Sequence, residues 1–287
     1  MKKLFKDIDG LQIECLISTG NSNPIFIFHG NSSCAAAYES LLSSQLGKQY
    51  QIIAVSFPGH GASSYYQNNP DYVSIAMLGQ LTAKIIQSFN PSSYLLIGQS
   101  LGGHALLESL HLHPKATGLC LVSAPPFSLT TIGSVFREDP TGGLLFANQL
   151  DQNAVERFAR AFVHHDRSEN LNLLKTHIQT TQGQFREQLG KSLALGLLED
   201  ELENLISANI PCLLLQGEED KFIHNDYYQY LVQTNAPLEL SHFANTGHAI
   251  QLDAPQQFEQ ILSEFIHQHL RTSVSQTLSH AQELQHA

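Results

Sequence analysis

The sequence predicts an α/β fold, a mainly parallel sheet with helices on both faces. Two patterns carry that expectation. Short continuous apolar runs recur along the chain, each stopped by glycine or proline, as strands buried on both faces read. Helix-compatible stretches separate them, and strand–helix alternation is the mark of parallel pairing. The length of 287 residues suits one large α/β domain or two smaller ones, and needs no disulfide or metal staple.

The strands come first. Residues 11–17 alternate apolar and polar, as a half-buried strand does. Pro24-Ile25-Phe26-Ile27-Phe28 is a continuous run ending at His29-Gly30. Ile52–Val55 stops at Pro58-Gly59, Leu95–Ile97 at Gly98, and Leu119–Val122 at Pro125-Pro126. Cys212–Leu215 stops at Gly217, and residues 238–243 form the last run. Helices are expected over 35–46, 71–89, 101–112, 223–234 and 255–270, the last with Pro255 in its first turn and Asp253 just before it.

The rhythm breaks between 126 and 208. Helical spacings such as Val155, Phe158, Ala159 and Phe162 replace strands there, so a helical insertion is expected. The core is then 1–125 with 209–271, and the polar stretch 272–287 reads as a frayed or disordered tail.

Composition narrows the function. Lysine plus arginine is 15 against 26 aspartate plus glutamate, a net charge of −11, which disfavours nucleic acid and anionic membranes as partners. No apolar stretch approaches the ~18 residues of a membrane span. Asp7, Asp9 and Gly10 fall where a signal peptide needs its apolar core, so the chain reads as cytoplasmic. Cys15, Cys120 and Cys212 lie in apolar runs and read as core residues, and only Cys34 falls near a candidate site. Oligomeric state is not legible.

Gly98-Gln99-Ser100-Leu101-Gly102 matches G-x-S-x-G. The string alone is weak, since chance yields it in about one chain in ten of this length. Its context is specific. It follows an apolar strand and opens a helix, so Ser100 would sit on a tight elbow with its hydroxyl exposed. Serine needs a base. Among fifteen histidines, His248 stands out, because it lies just beyond the last strand, at the sheet edge where Ser100 would be. His111, His113, His164 and His165 read as surface residues, and His104 as packing under its own helix. The base needs a carboxylate to orient it. In Gly217-Glu218-Glu219-Asp220, Asp220 is the first choice and Glu219 the second. An oxyanion needs converging donors. The N–H groups of Leu101 and Asn31 are the candidates, while Ser32 and Ser33 are candidate caps for the helix from 35.

Together, His29-Gly30-Asn31, Pro58-Gly59-His60-Gly61, Gly98–Gly103, the acidic turn at 217–220 and Gly247-His248 resemble the α/β-hydrolase family, over nearly the whole chain. The order Ser100, Asp220, His248 is that family's order. The resemblance implies an eight-stranded sheet, a helical cap near 126–208 inserted before the last two strands, and serine-esterase chemistry without cofactor. A closer likeness is to the AidH-type N-acyl homoserine lactonases. It rests on His29–Ser33, Ser100–His104 and Glu156–Arg160. That branch carries tyrosine where this chain has Phe158, which keeps the ring and loses a hydroxyl.

Other motifs fail. H-x-H-x-D-H and H-E-x-x-H are absent, so no metal is implied. Gly190-Lys191-Ser192 lacks the earlier P-loop glycine, which would fall at Phe185. The expected function is therefore hydrolysis of a small acyl ester or lactone through an acyl-enzyme, with an N-acyl homoserine lactone favoured. Phe136, Leu144, Leu145, Phe146, Phe158 and Phe162 are candidate linings of an acyl pocket. The alternatives are a carbon–carbon bond hydrolase of ring-fission type, which would use Arg137, Arg157 or Arg160 to hold a carboxylate, and a ligand-binding hydrolase fold without turnover.

Overall fold

The computed structural model describes residues 1–66 and 73–270. The expected tail from 272 and the first two positions of the helix expected from 71 lie outside the described residues. Eight strands run β1 Lys2–Ile8, β2 Leu11–Ile17, β3 Ser22–Phe28, β4 Tyr50–Val55, β5 Tyr94–Gln99, β6 Ala116–Val122, β7 Cys212–Gly217 and β8 Leu238–Phe243. They form one sheet in the order β1-β2-β4-β3-β5-β6-β7-β8. β1 and β2 pair antiparallel, as do β2 and β4, and every pairing from β4 through β8 is parallel.

The helices are α1 Glu39–Ser43, α2 Gln45–Gln49, α3 Ile75–Gln87, α4 Leu101–Glu108, α5 Gln152–Phe162, α6 Ser168–Thr180, α7 Gly183–Ala194, α8 Glu201–Ala208, α9 Asn225–Leu231, α10 Ile250–Asp253 and α11 Pro255–His269. α5 to α8, with short 3-10 turns at Ile132–Ser134 and Gly142–Phe146, form the helical insertion between β6 and β7. Among the described residues no helix is long and apolar enough to cross a membrane.

The inner parallel strands carry continuous apolar runs because both faces are covered. Ile25 and Ile27 of β3, Leu95 and Ile97 of β5, and Leu213 and Leu215 of β7 pack on the side of α1 and α11. Phe26, Phe28, Leu96 and Leu214 face the other side, with α3 and α4. Each such side chain contributes about 1.5–3 kcal/mol by leaving water. The four cysteines are free and buried.

Three expectations change. β1 was not legible, because it is an edge strand with only Ile8 buried and so carries no apolar run. The stretch 35–46 is broken into a 3-10 turn, α1 and α2, and its N-cap is Cys34, with no side-chain cap from Ser32 or Ser33. Ala35 N–H donates instead to Ser56 Oγ at 3.0 Å. His113 is buried, not on the surface, between Thr82, Ser109 and Tyr94.

The insertion leaves and rejoins the core against α4. Leu202 N–H donates to Phe127 O at 3.0 Å, and Glu199 N–H to Glu108 Oε1 at 3.3 Å. His104 does not merely pack under its own helix. Its Nδ1 sits 2.9 Å from both carboxylate oxygens of Glu201, and both residues are buried. Burial works against the charged imidazole, and the Glu201 carboxylate outweighs it, so the His104 pKa rises. Burial pushes the Glu108 carboxyl up to about 7, the Glu199 N–H opposes, and the Glu201 charge adds to the rise. Its Oε2 has no partner among the described residues.

A carboxyl raised on folding favours the folded state below its unfolded pKa, and that advantage fades as pH rises through the folded value. Stability should therefore fall between about pH 4.5 and 7 through Glu108. Glu108→Gln keeps an acceptor for Glu199 and removes the charge. It should raise Tm by about 2–4 °C at pH 8 and leave it unchanged at pH 4. Thermal melts at the two pH values check this, and an equal shift at both would reject it.

Candidate active site

The strand register brings the expected residues to one edge. Phe28 pairs with Gly98, Gln99 with Val122, Val122 with Leu215 and Gly217 with Phe243, so the C-terminal ends of β3, β5, β7 and β8 lie in line. His29-Gly30-Asn31, Ser100, Asp220 and His248 all follow those ends, where open α/β sheets carry their ligand sites.

Ser100 adopts φ 48° and ψ −119°, outside the regions open to an ordinary L-residue. Such backbone persists only when its surroundings over-determine it. Here α4 closes tightly onto the sheet. A Cβ on Gly98 would lie 2.5 Å from Gly103 Cα, and one on Gly102 would lie 2.2 Å from Phe28 O. Ser100 N–H donates to Val122 O at 2.9 Å, and Ser100 O accepts from His104 N–H at 3.0 Å. The elbow is therefore tied to β6 on one side and to its own helix on the other.

The loop after β3 presses against the elbow. A Cβ on Gly30 would meet Ser100 Cβ at 3.1 Å. Gly30 N–H donates to Gln99 Oε1 at 3.3 Å. Two neutral histidines pin the loop. His29 Nε2 accepts from Phe57 N–H at 2.9 Å while its Nδ1–H donates to Gly30 O at 2.7 Å. His60 Nε2 accepts from Ser32 N–H at 3.3 Å while its Nδ1–H donates to Pro58 O. Burial holds His29 down at about 4 and His60 well below its usual value, so both stay uncharged at neutral pH. Ser32 itself takes φ 59°.

Asp220 and His248 meet. His248 Nδ1 lies 2.7 Å from Asp220 Oδ2, and both are buried. Asp220 Oδ1 accepts the N–H groups of Phe222 and Ile223 at 2.8 and 3.2 Å. With all those donors to one carboxylate, Nδ1 of His248 carries the proton and Nε2 is left free to accept. Glu219 is exposed and has no contact with His248 among the described residues, and Asp220 is the carboxylate bonded to the ring.

The His248 loop is clamped by neighbours that the sequence did not flag. Its ring lies between Phe222 and Phe162, with centroids 5.0 and 5.7 Å away. Ala249 N–H donates to Phe162 O at 2.7 Å. Asp253, read from sequence as an acid near a helix N-terminus, has another task. It accepts from Gly247 and His164 N–H at 2.9 and 2.7 Å, and from His165 N–H at 3.3 Å.

The remaining candidates separate. Asn31 is buried, and one N–H of its side-chain amide donates to Leu145 O at 2.7 Å. Leu101 N–H opens α4, where helical N–H groups have no intrahelical partner. Phe162 touches His248, while Phe158 is fully buried behind it at 5.1 Å. Phe136 and Phe146 are partly exposed, Phe136 in a bridge to Ile223 and Phe146 over Gly190 of α7. Arg137 Nε donates to Ile223 O, Arg160 pairs with Glu156 and Asp166, and Arg157 is exposed on α5. Among the described residues no cluster of three metal-binding side chains occurs.

Residues 25–261 match the model of the alpha/beta hydrolase family. The chain belongs to that family. A 2-hydroxy-6-oxononadienedioate/2-hydroxy-6-oxononatrienedioate hydrolase of Burkholderia vietnamiensis is 22% identical over 86% of this chain and 88% of its own length. A pimeloyl-[acyl-carrier protein] methyl ester esterase of Xylella fastidiosa is 26% identical over 86% of this chain and 96% of its own. Among solved structures, N-acyl homoserine lactonase AidH complexed with N-butanoyl homoserine superposes with a TM-score of 0.84. It shares 23% identity over 93% of this chain and 96% of its own, a likeness of fold.

The elbow's dependence on missing side chains is testable by stability alone. Gly102→Ala drives a Cβ into a backbone carbonyl that cannot turn away. It should cost about 3 kcal/mol or more, read as a lower urea midpoint with unchanged slope. A midpoint within error of the parent's would reject the close approach.

Proposed function

We propose that the protein is a serine hydrolase that cleaves a carboxylic ester or lactone through an acyl-enzyme, with Ser100 as nucleophile, His248 as base and Asp220 as its orienting acid. One observation carries the reading. A buried carboxylate–imidazole pair at 2.7 Å stands at the same sheet edge as a serine held on a strained strand-to-helix elbow.

The chemistry follows from the groups. His248 Nε2 takes the Ser100 hydroxyl proton as Oγ attacks the carbonyl carbon. Asp220 stabilises the imidazolium that forms, without itself taking the proton. The carbonyl oxygen becomes an oxyanion, for which the Asn31 and Leu101 N–H groups are the donors. The α4 N-terminus adds favourable potential. Collapse breaks the C–O bond, and the imidazolium protonates the departing alkoxide. For a lactone that hydroxyl stays attached to the acyl group. Water, activated by the same imidazole, then adds to the acyl-enzyme and frees Ser100 and the acid. No metal or cofactor enters this scheme.

Within this class the favoured substrate is an N-acyl homoserine lactone. The fold likeness to AidH supports it. So does the insertion, which acts as a cap and brings Phe162 against His248 as an apolar wall for an acyl chain. The carbon–carbon hydrolase alternative draws on the name of one relative. Of the arginines that reading would use, Arg160 is paired with Glu156 and Asp166.

Ser100→Ala and His248→Ala should each lower kcat by at least about 10⁴-fold on a panel of p-nitrophenyl esters and acyl lactones, and Asp220→Asn by less. Glu219→Gln should stay close to the parent. A fluorophosphonate should label the parent and not Ser100→Ala. Loss of activity in Glu219→Gln with normal activity in Asp220→Asn would move the acid. Turnover of a vinylogous diketone but of no ester or lactone would reject the ester reading.

A further inference from the structure

Arg186 of α7 is 3% exposed, yet it has no carboxylate partner among the described residues. Its donors go to three neutral oxygens. Nε bonds Ala147 O at 2.8 Å, and Nη1 bonds Ile178 O at 3.2 Å and Ser32 Oγ at 3.4 Å. The first two bonds tie the insertion to itself, and the third crosses to the loop after β3. Neutral side chains can cap two carbonyls. A guanidinium buried without a counter-ion is the costly way to do it.

The third bond closes a ring around Asn31. Leu145 O can only accept, so the Asn31 amide presents Nδ2 to it and turns Oδ1 to Ser32. The Ser32 hydroxyl donates to that Oδ1 at 3.1 Å and so offers Arg186 a lone pair. Arg186 therefore holds both neighbours of the amide, Ser32 directly and the Leu145 stretch through Ala147 O. The loop itself is a tight turn. Ser33 N–H donates to Gly30 O at 3.2 Å with Asn31 and Ser32 between, and Ser32 sits at φ 59°, where glycine is the usual residue. Asn31 N–H has no acceptor among the described residues. α7 bears on this turn a second time. Phe185 packs edge-on against His60 with centroids 4.5 Å apart, and His60 accepts the Ser32 N–H.

We propose that Arg186 is a positioning residue for the oxyanion, fixing through the Ser32 hydroxyl the turn that aims Asn31 N–H at the carbonyl oxygen. The inference rests on the ester-hydrolase reading above and adds to it a residue of the insertion that touches no substrate. An ester is neutral until Ser100 adds to it, and acylation and deacylation both pass through an oxyanion. A turn held in place therefore acts on kcat and leaves KM, and it matters most to bound species that carry the negative oxygen.

The test uses the parent, Arg186→Met, Ser32→Gly and the double variant. It reads hydrolysis of the fastest ester or lactone of the panel above, and inhibition by an alkyl trifluoromethyl ketone, to which Ser100 adds to form a bound oxyanion. A cooperative urea transition checks that each variant is folded. Glycine suits the left-handed turn and lacks the hydroxyl. Arg186→Met and Ser32→Gly should each lower kcat by about 10- to 100-fold with KM within about 3-fold, and should weaken the ketone by a similar factor. In the Ser32→Gly background, Arg186→Met should cost less than about 3-fold more. Parent-like kcat in either single variant overturns the inference. So does a loss that falls on KM, a ketone that binds as well as before, or a full second loss in the double variant, as a charge acting through space or a loosened insertion would give. Each of those results leaves the hydrolase reading standing. Should Arg186→Met fail to fold, Arg186→Lys replaces it in both backgrounds. One ammonium cannot span three oxygens, so kcat should fall by at least about 5-fold with Ser32 present and stay level in Ser32→Gly, and any other pattern overturns the inference. Absence of turnover across the panel in the parent overturns the hydrolase reading and the inference with it.

Discussion

The site depends on how closely α4 can be brought onto the end of β5. Ser100 stands at φ 48°, a conformation that costs a serine about 1–3 kcal/mol and is held only by what surrounds it. The restraint is the contact of Gly98 with Gly103 and of Gly102 with the Phe28 carbonyl, where no side chain fits. That contact also fixes the distance from the elbow to the loop after β3. Gly30 lies against Ser100 because Phe28 and Gly98 are paired in register. The glycines of the motif are therefore part of the machinery by their absence of bulk. They let Ser100, a helix N-terminus and a neighbouring loop occupy one corner of the sheet.

The buried histidines become interpretable once their partners are known. His29 and His60 accept from backbone N–H groups and donate to carbonyls, and burial keeps them neutral, so they serve as rigid braces. His113 fills a polar gap between α3, α4 and β5. His104 faces a carboxylate and is pushed toward the charged form. Among the described histidines, His248 combines a buried carboxylate on Nδ1 with a position at the C-terminal edge of the sheet, flanked by aromatic rings that shed water. A carboxylate partner by itself does not mark a base, since His104 has one too. The sheet edge distinguishes them.

That difference explains what was legible beforehand. The inner parallel strands announce themselves because burial on both faces favours continuous apolar runs. β1 has no such requirement, and its lysines conceal it. Ser100, Asp220 and His248 follow strand ends whose order can be read, so their arrival at one sheet edge is legible from topology, and there His248 meets Asp220. Ser32 and Ser33 look like caps in the sequence, yet the positive φ of Ser32 and its N–H bond to His60 commit the loop to another shape. Asp253 looks like a helix-start acid, yet its carboxylate gathers three N–H groups from two other segments. Such roles need the third dimension, because the partners are backbone atoms that any residue carries.

Those backbone bonds also decide how the helical insertion bears on chemistry. It is joined to the two loops that flank Ser100, and by different means. Phe162 O holds Ala249 N–H, and Asp253 ties His164 and Gly247 together, so the end of α5 moves with His248. Leu145 O accepts from the Asn31 side chain, and Arg186 of α7 reaches Ser32 Oγ, so the 3-10 turn and α7 move with the oxyanion loop. An insertion bound only through side chains could be reshaped for a new acyl chain without touching catalysis. This one cannot, because the Phe162 ring itself packs against His248, so trimming it removes a wall of the His248 loop. Changes of substrate in this chain are therefore expected to move kcat together with KM, and side chains that hang into the pocket without bonding either loop are the ones free to vary.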